Sequence, residues 1–269
     1  MGASRGQRWG FGIAGALVFA FLYLPLGIIV LYAFNKSTIN SWPFPGFSTR
    51  WFDKLAHDSE AKDAAWLSVR IALFSTAFAL VLGTALAFAF ARFRFRGREA
   101  VNFAVTLPII LPGVITGVAL ASFFLFTGTN LSMRTVIIGH TTFCIVLVFN
   151  NVLARLRRVS PTLEEASRDL GAKGWQTFLF VTLPSIRTAL VAGALLAFAL
   201  SFDEIAVTFF LAGSDTTTLP LWILGALRRT RDVPEVNAVA TVVLVISLPM
   251  IAAAAYLMRE EGSGLSSRE

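Results

Sequence analysis

Two adjacent acids, Asp203 and Glu204, stand with Ser201 inside an otherwise apolar run. A carboxylate in such surroundings costs on the order of several kcal/mol unless water or a cation partners it. The chemistry these residues suit is the guiding of a positively charged solute, which makes Ser201, Asp203 and Glu204 candidates for a substrate pathway. An ion pair with an arginine on a neighbouring helix is the alternative use of the same acids. Little else in the chain is equipped to react. Cys144 is the single cysteine, and His57 and His140 are the only histidines, with no partner at ligand spacing. A disulfide framework, a thiolate cluster and a metal site are therefore not expected. His57 reads as a loop histidine and His140 as a helix-end histidine near an interface. No G-x-x-x-x-G-K-S/T loop occurs, so any ATP must be bound by another chain. A membrane-embedded enzyme would need converging nucleophile, base or metal ligands, and the catalytic residues for it are missing.

The elements that must carry these acids follow from composition. The 269 residues are 56% hydrophobic and only 14% charged, where soluble domains carry about 25% charged residues. A bilayer core of ~30 Å takes about 20 apolar residues of helix. Six stretches meet or approach that length: Trp9–Phe34, Ala64–Phe90, Ala100–Phe126, Val136–Val152, Ala189–Leu211 and Ala238–Leu257. The first is too long for a signal peptide. On this count Asp203 and Glu204 lie about 15 residues into the fifth span, some 20 Å deep at ~1.5 Å per residue. In the third span, Pro108, Pro112, Gly113 and Gly117 predict a kink, and a kinked span lining the pathway adds Pro112 and Gly113 to the candidates.

Fourteen of the 23 basic residues, from Arg5 to Arg268, fall on the side shared by the two termini. That side is expected to be cytoplasmic. The Arg228, Arg229 and Arg231 cluster on the opposite side argues against it and is outweighed by the basic segments at 92–98 and 155–187. The net charge of +7 is then a topology signal with affinity for anionic membrane lipid, and no nucleic-acid partner is expected.

Between the fourth and fifth spans, residues 154–187 form a polar insertion with ordered punctuation. Ser160 is placed to cap a helix that has Pro161 at its first position and Glu164 and Glu165 early, where the helix dipole favours negative charge. Gly171 suits a left-handed helix end, and Pro184 is expected to interrupt the chain just before the fifth span. Leu163, Ala166 and Leu170 share one face, with Glu164, Arg168 and Asp169 largely elsewhere.

Glu165-Ala-Ser-x-x-x-Gly171, nine residues, then Val181-x-Leu-Pro184 resembles the EAA loop of ABC importer permeases, with Ser167 and Val181 as its two departures. The resemblance implies an all-α membrane protein: a single permease domain over 1–269, in the six-helix type I fold, multi-pass in a bacterial inner membrane. It implies that the insertion carries a coupling helix docking into a separate ATPase, with Glu164, Glu165, Ala166, Ser167, Gly171, Leu183 and Pro184 as the coupling residues. Ser201-Phe-Asp-Glu-Ile-Ala-Val-Thr-Phe-Phe, Thr218-Leu-Pro-Leu, Pro234-Glu-Val-Asn-Ala-Val-Ala and His140-Thr-Thr-Phe-Cys-Ile resemble the second permease of spermidine/putrescine-type importers. The partners so implied are a second homologous permease, two copies of an ATPase that uses ATP and Mg, and an extracytoplasmic substrate-binding protein. Gly113 departs from that pattern, which commonly has an acid after the second proline. With the arginines at 228–231, it leaves another small amine or a zwitterion as the alternative cargo.

The orientation is testable by labelling. A cysteine introduced at Ser41 reacts with an impermeant thiol reagent from outside the cell and one at Ser167 does not; the opposite pattern inverts the topology.

Overall fold

The computed structural model describes residues 5–38, 42–229 and 232–266, with only the backbone for 5–8 and 250–266. Ser41, Arg231 and Arg268 lie outside the described residues. Among the described residues the structure is helical, and its only β pairing is an isolated bridge between Asn35 and Phe47. The chain packs as two compact units, residues 1–62 with 223–269, and residues 63–222.

In the first unit, α1 (Arg5–Ala33) packs against α12 (Val233–Ser266), and α2 (Arg50–His57) also lies on α12. Most of α1 is apolar and uncovered, as a helix facing hydrocarbon should be. The start of α2 is tied to the end of α1: Trp51, buried with Ala33 and Ala238, donates its indole N–H to the Asn35 carbonyl at 2.8 Å. Lys54 bridges Asp232 at 3.1 Å and the buried Glu235. The Glu235 carboxylate, then Asp232, hold the Lys54 ammonium above its ordinary pKa against the opposing effect of partial burial. Arg229 pairs with Asp232 at 2.9 Å, so part of the basic cluster expected to repel a cation is already neutralised. His57, read from sequence as a loop histidine, is instead the exposed last residue of α2, beside Asp53.

The second unit is built around α6 (Met133–Leu156), which packs most extensively on α9 (Leu183–Asp203). Its core combines Phe149, Val152 and Leu156 of α6 with Ile186 and Ala197 of α9 and Ile71, Ala79, Ala87 and Phe90 of α3 (Ser59–Arg92). Two glycines set the distance between these helices. A Cβ on Gly83 of α3 would lie 2.9 Å from the Val148 Cβ, and one on Gly193 of α9 would lie 3.2 Å from the Val148 Cα. Val148 is thus gripped from both sides by bare backbone, the small-residue packing that replaces a hydrophobic driving force within lipid.

Four of the six expected spans stand among the described residues as single helices. Trp9–Ala33, Ser59–Arg92, Met133–Leu156 and Gly174–Asp203 are each long and apolar enough to cross a membrane. The third expected span is two helices, α4 (Arg98–Ile110) and α5 (Gly113–Phe126), bent by 108° and counting as a fifth only if taken together. The apolar part of α12 among the described residues, Val233–Pro249, is shorter. The kink became a break because Pro112 lacks an N–H and forces extended backbone on Leu111, whose ψ is 141°. The fifth span departs in the other direction. Pro184 does not interrupt it: α8 (Gly174–Thr177) runs through a π turn, Phe178–Thr182, directly into α9. The wider π turn absorbs the proline that an unbroken α-helix could not hold without strain.

Gly83→Val should destabilise the second unit by about 1–3 kcal/mol through overpacking against Val148. Gly15→Val on α1, where a Cβ meets nothing within 4 Å, is the control. Thermal unfolding of the detergent-purified chain checks the contrast.

Candidate functional site

The acids of the fifth span sit where the helix stops. α9 ends at Asp203; Glu204 is extended, with ψ of 118°, and a short α10 (Ala206–Leu211) follows. The expectation of two acids inside a continuous span is thereby corrected. The chain breaks at the acids and its freed backbone groups are satisfied locally. Glu204 Oε1 accepts the Val207 N–H at 2.9 Å, its carbonyl accepts the Thr208 hydroxyl at 2.8 Å, and the Phe209 N–H bonds the Ile205 carbonyl at 2.9 Å. Asp203 is exposed and Glu204 half-buried.

α10 is lodged between α5 and α6 by glycines. A Cβ on Gly113 would lie 3.1 Å from the Ala206 Cβ and 3.5 Å from Glu204 Oε1, and one on Gly117 would lie 3.2 Å from the Val207 Cα. Gly139 of α6 leaves similar room for Val207 and Leu211. The Pro112–Gly113 break of one span therefore faces the Glu204–Ile205 break of another. Pro112, Gly113 and Glu204 are brought together, while Ser201 is buried and turned toward α6.

Ser201 meets a residue that sequence reading left as a helix-end histidine. His140 lies inside α6, 1% exposed. Its Nδ1 is 2.8 Å from Ser201 Oγ and its Nε2 is 2.8 Å from Thr208 Oγ1. In the neutral ring one nitrogen donates to its hydroxyl and the other accepts from its own, so both polar atoms of His140 are satisfied in the core. One ring thus bridges the last turn of α9 and the first of α10. Thr208 stands seven residues after Ser201 and four after Glu204, a spacing that could have marked a polar face had α10 been read as its own helix. Cys144, one turn beyond His140, is buried against the Ala197 carbonyl.

The polar insertion folds as a separate piece of geometry. Ser160 Oγ accepts the Thr162 N–H at 3.3 Å at the start of α7 (Pro161–Asp169), and Gly171 ends that helix with φ of +86°. That angle is the left-handed one that glycine adopts without strain. Glu165 and Ala166 are both exposed, as are Leu163 and Leu170, the latter 90% so, while Glu164 is buried. Ser167 shares a 3.2 Å hydrogen bond with Thr177. Glu164 points away from solvent: it is 6% exposed and pairs with Arg92 at 2.7 Å. Leu183 and Pro184 occupy the first turn of α9, with Pro184 exposed. Arg92, the last residue of α3, escaped sequence reading because nothing local distinguishes it from the other arginines at 94–98.

His140→Phe keeps the ring volume and removes both bridges, leaving buried hydroxyls at Ser201 and Thr208. A loss of about 1–3 kcal/mol is expected. The double variant with Thr208→Val should lose less than the sum of the single losses, because the two residues share one contact. Thermal unfolding of the purified variants measures both.

Known proteins share this sequence and architecture. The family of binding-protein-dependent transport system inner membrane components matches residues 79–260. The putrescine transport system permease protein PotI of Escherichia coli K12 is 38% identical over 236 residues, covering 85% of this chain and 83% of PotI. The spermidine/putrescine transport system permease protein PotC of the same strain is 33% identical over 258 residues, covering 96% of each chain. In fold, the chain resembles one from a bacterial alginate ABC transporter crystallised with an alginate pentasaccharide-bound periplasmic protein, with a TM-score of 0.72 at 18% identity over 95% of both chains. With its apolar spans, its paired breaks and its polar insertion, this chain belongs to the family of binding-protein-dependent transport system inner membrane components, as a multi-pass membrane permease subunit and not an enzyme.

Proposed function

We propose that this chain forms half of the translocation pathway of an ATP-driven importer of polyamines or closely related amines. It works with a second homologous permease, two copies of an ATPase that alone binds ATP and Mg, and an extracytoplasmic substrate-binding protein. Both termini lie in the cytoplasm of a bacterial cell, with α7 on the same side as the ATPase. The observation that carries this reading is the presentation of α7. A nine-residue helix, with Ser160 at its start and Gly171 just past its end, holds Leu163, Glu165 and Leu170 outward with nothing of its own unit over them. Exposed leucines beside an acid on a polar protrusion suit a cleft in a protein partner.

Polyamine cargo is supported by the relatives' names and by the acids at the break. A side chain after Pro112 would press on Ala206, 3.1 Å from the Cβ of position 113, and Glu204 brings a carboxylate to the edge of that position instead. Asp203, exposed beside it, adds a second negative charge. Both favour an ammonium group that has shed part of its water.

The test is uptake of radiolabelled putrescine and spermidine by proteoliposomes holding the assembled complex. Asp203→Asn with Glu204→Gln should reduce uptake at little change in volume, since the new amide retains an oxygen for the Val207 N–H. Loss of about 1–4 kcal/mol at the barrier corresponds to roughly 5-fold to several-hundred-fold in rate. ATP hydrolysis should persist. Wild-type uptake in the double variant would make these acids structural, and absence of polyamine uptake by the wild-type complex would reject the cargo.

A further inference from the structure

The side of α7 turned away from solvent holds a contact that docking does not use. Glu164 Oε1 accepts from Arg92 Nη2 at 2.7 Å and from Thr182 Oγ1 at 3.0 Å. Arg92 ends α3, and Thr182 ends the π turn that leads into α9. A single carboxylate oxygen therefore joins the helix that presents Leu163, Glu165 and Leu170 to the ends of two membrane-spanning helices. The side chains of Arg92 and Glu164 are 20% and 8% exposed. Arg92 Nε is buried with no acceptor of its own, so the guanidinium depends on Glu164. Such a pair resists separation more than an exposed one, because parting it strands two charges away from water. The hydrogen bond between Ser167 and Thr177 stays within the insertion and reaches neither long helix.

We propose that Arg92, Glu164 and Thr182 form the junction through which movement of α7 reaches the ends of α3 and α9. Glu165 and the exposed leucines hold the ATPase, and Glu164 passes its displacement on. This rests on α7 being the docking helix. Adjacent glutamates thus divide the work: the side chain at 165 faces the partner and the one at 164 faces the membrane helices. Arg92 and Glu164 are positioning residues that touch neither cargo nor nucleotide.

The experiment uses the purified complex with its copurifying ATPase and a reporter thiol introduced just past α3, at an exposed position, by Arg94→Cys. Cys144 is buried and stays silent. In the complex carrying only that reporter, trapping with ATP and vanadate should change the rate of reporter labelling at least about 3-fold. Glu164→Gln and Arg92→Gln should each still retain the ATPase but abolish that change, and lower putrescine uptake per ATP hydrolysed by about tenfold or more. Arg92→Lys, or the exchanged pair Arg92→Glu with Glu164→Arg, should restore part of both. The proposal falls if both Gln variants keep the labelling change, if they lose the ATPase altogether, or if neither charge-retaining variant exceeds Arg92→Gln. The labelling readout needs no cargo, so failure of polyamine uptake alone would reject the proposed substrate and not this junction.

Discussion

A backbone N–H or carbonyl within a bilayer has no water to turn to, and every interruption of a helix there must be repaired by protein groups. The second unit interrupts two helices, at Leu111–Pro112 and at Glu204–Ile205, and the rest of its architecture repairs those breaks. At the first, the Leu111 N–H reaches back to the Leu107 carbonyl and Pro112 has no N–H to satisfy. At the second, the side chains of Glu204 and Thr208 serve as local caps. His140 then fastens Thr208 to Ser201, so both ends of the break share one ring.

Repair alone does not bring the two breaks together. That depends on how closely backbones approach, and here glycine decides. Gly113 and Gly117 admit α10 against α5, Gly139 admits it against α6, and Gly83 and Gly193 hold α3 and α9 on Val148. Each missing Cβ draws two helices nearer and exchanges lipid contact for protein contact. The consequence is that a side chain at position 113 would press on Ala206, and Gly113 leaves the carboxylate to another residue. Glu204 supplies one from the facing chain, where it is both a helix cap and a charge at the junction of two breaks.

The polar insertion obeys different physics, since its backbone has water available. Its order comes from Ser160 at one end, Gly171 at the other, and one buried ion pair. Because α7 buries a glutamate and exposes its leucines, its polarity runs opposite to that of a helix folded only for its own unit. An inverted pattern of that kind is stable when the buried charge is paired and the exposed apolar face meets another protein.

Much of this was legible in the residues. Long apolar runs must be helical in lipid, so an all-α membrane chain followed from composition. The order of Glu165, Gly171, Val181 and Pro184 pointed to the family, and the left-handed end at Gly171 followed from local chemistry alone. The sharpness of the bend at Pro112 and the absence of one at Pro184 did not. Proline specifies a missing donor, but whether the chain bends by 108° or absorbs the defect in a π turn depends on what packs beside it. The acids behaved likewise: Asp203 and Glu204 announced themselves as costly charges in an apolar run, yet their place at a helix end, against Gly113, required the approach of α5 and α10. The buried roles of His140, Arg92 and Glu164 were hidden for the same reason. Their partners lie 61, 72 and 18 residues away for His140–Ser201, Arg92–Glu164 and Glu164–Thr182, and only tertiary packing sets which of several similar side chains meets which. Periodicity and capping are local and were determined by sequence. Pairing between distant polar groups is a competition settled by helix spacing, and that spacing exists only in the folded chain.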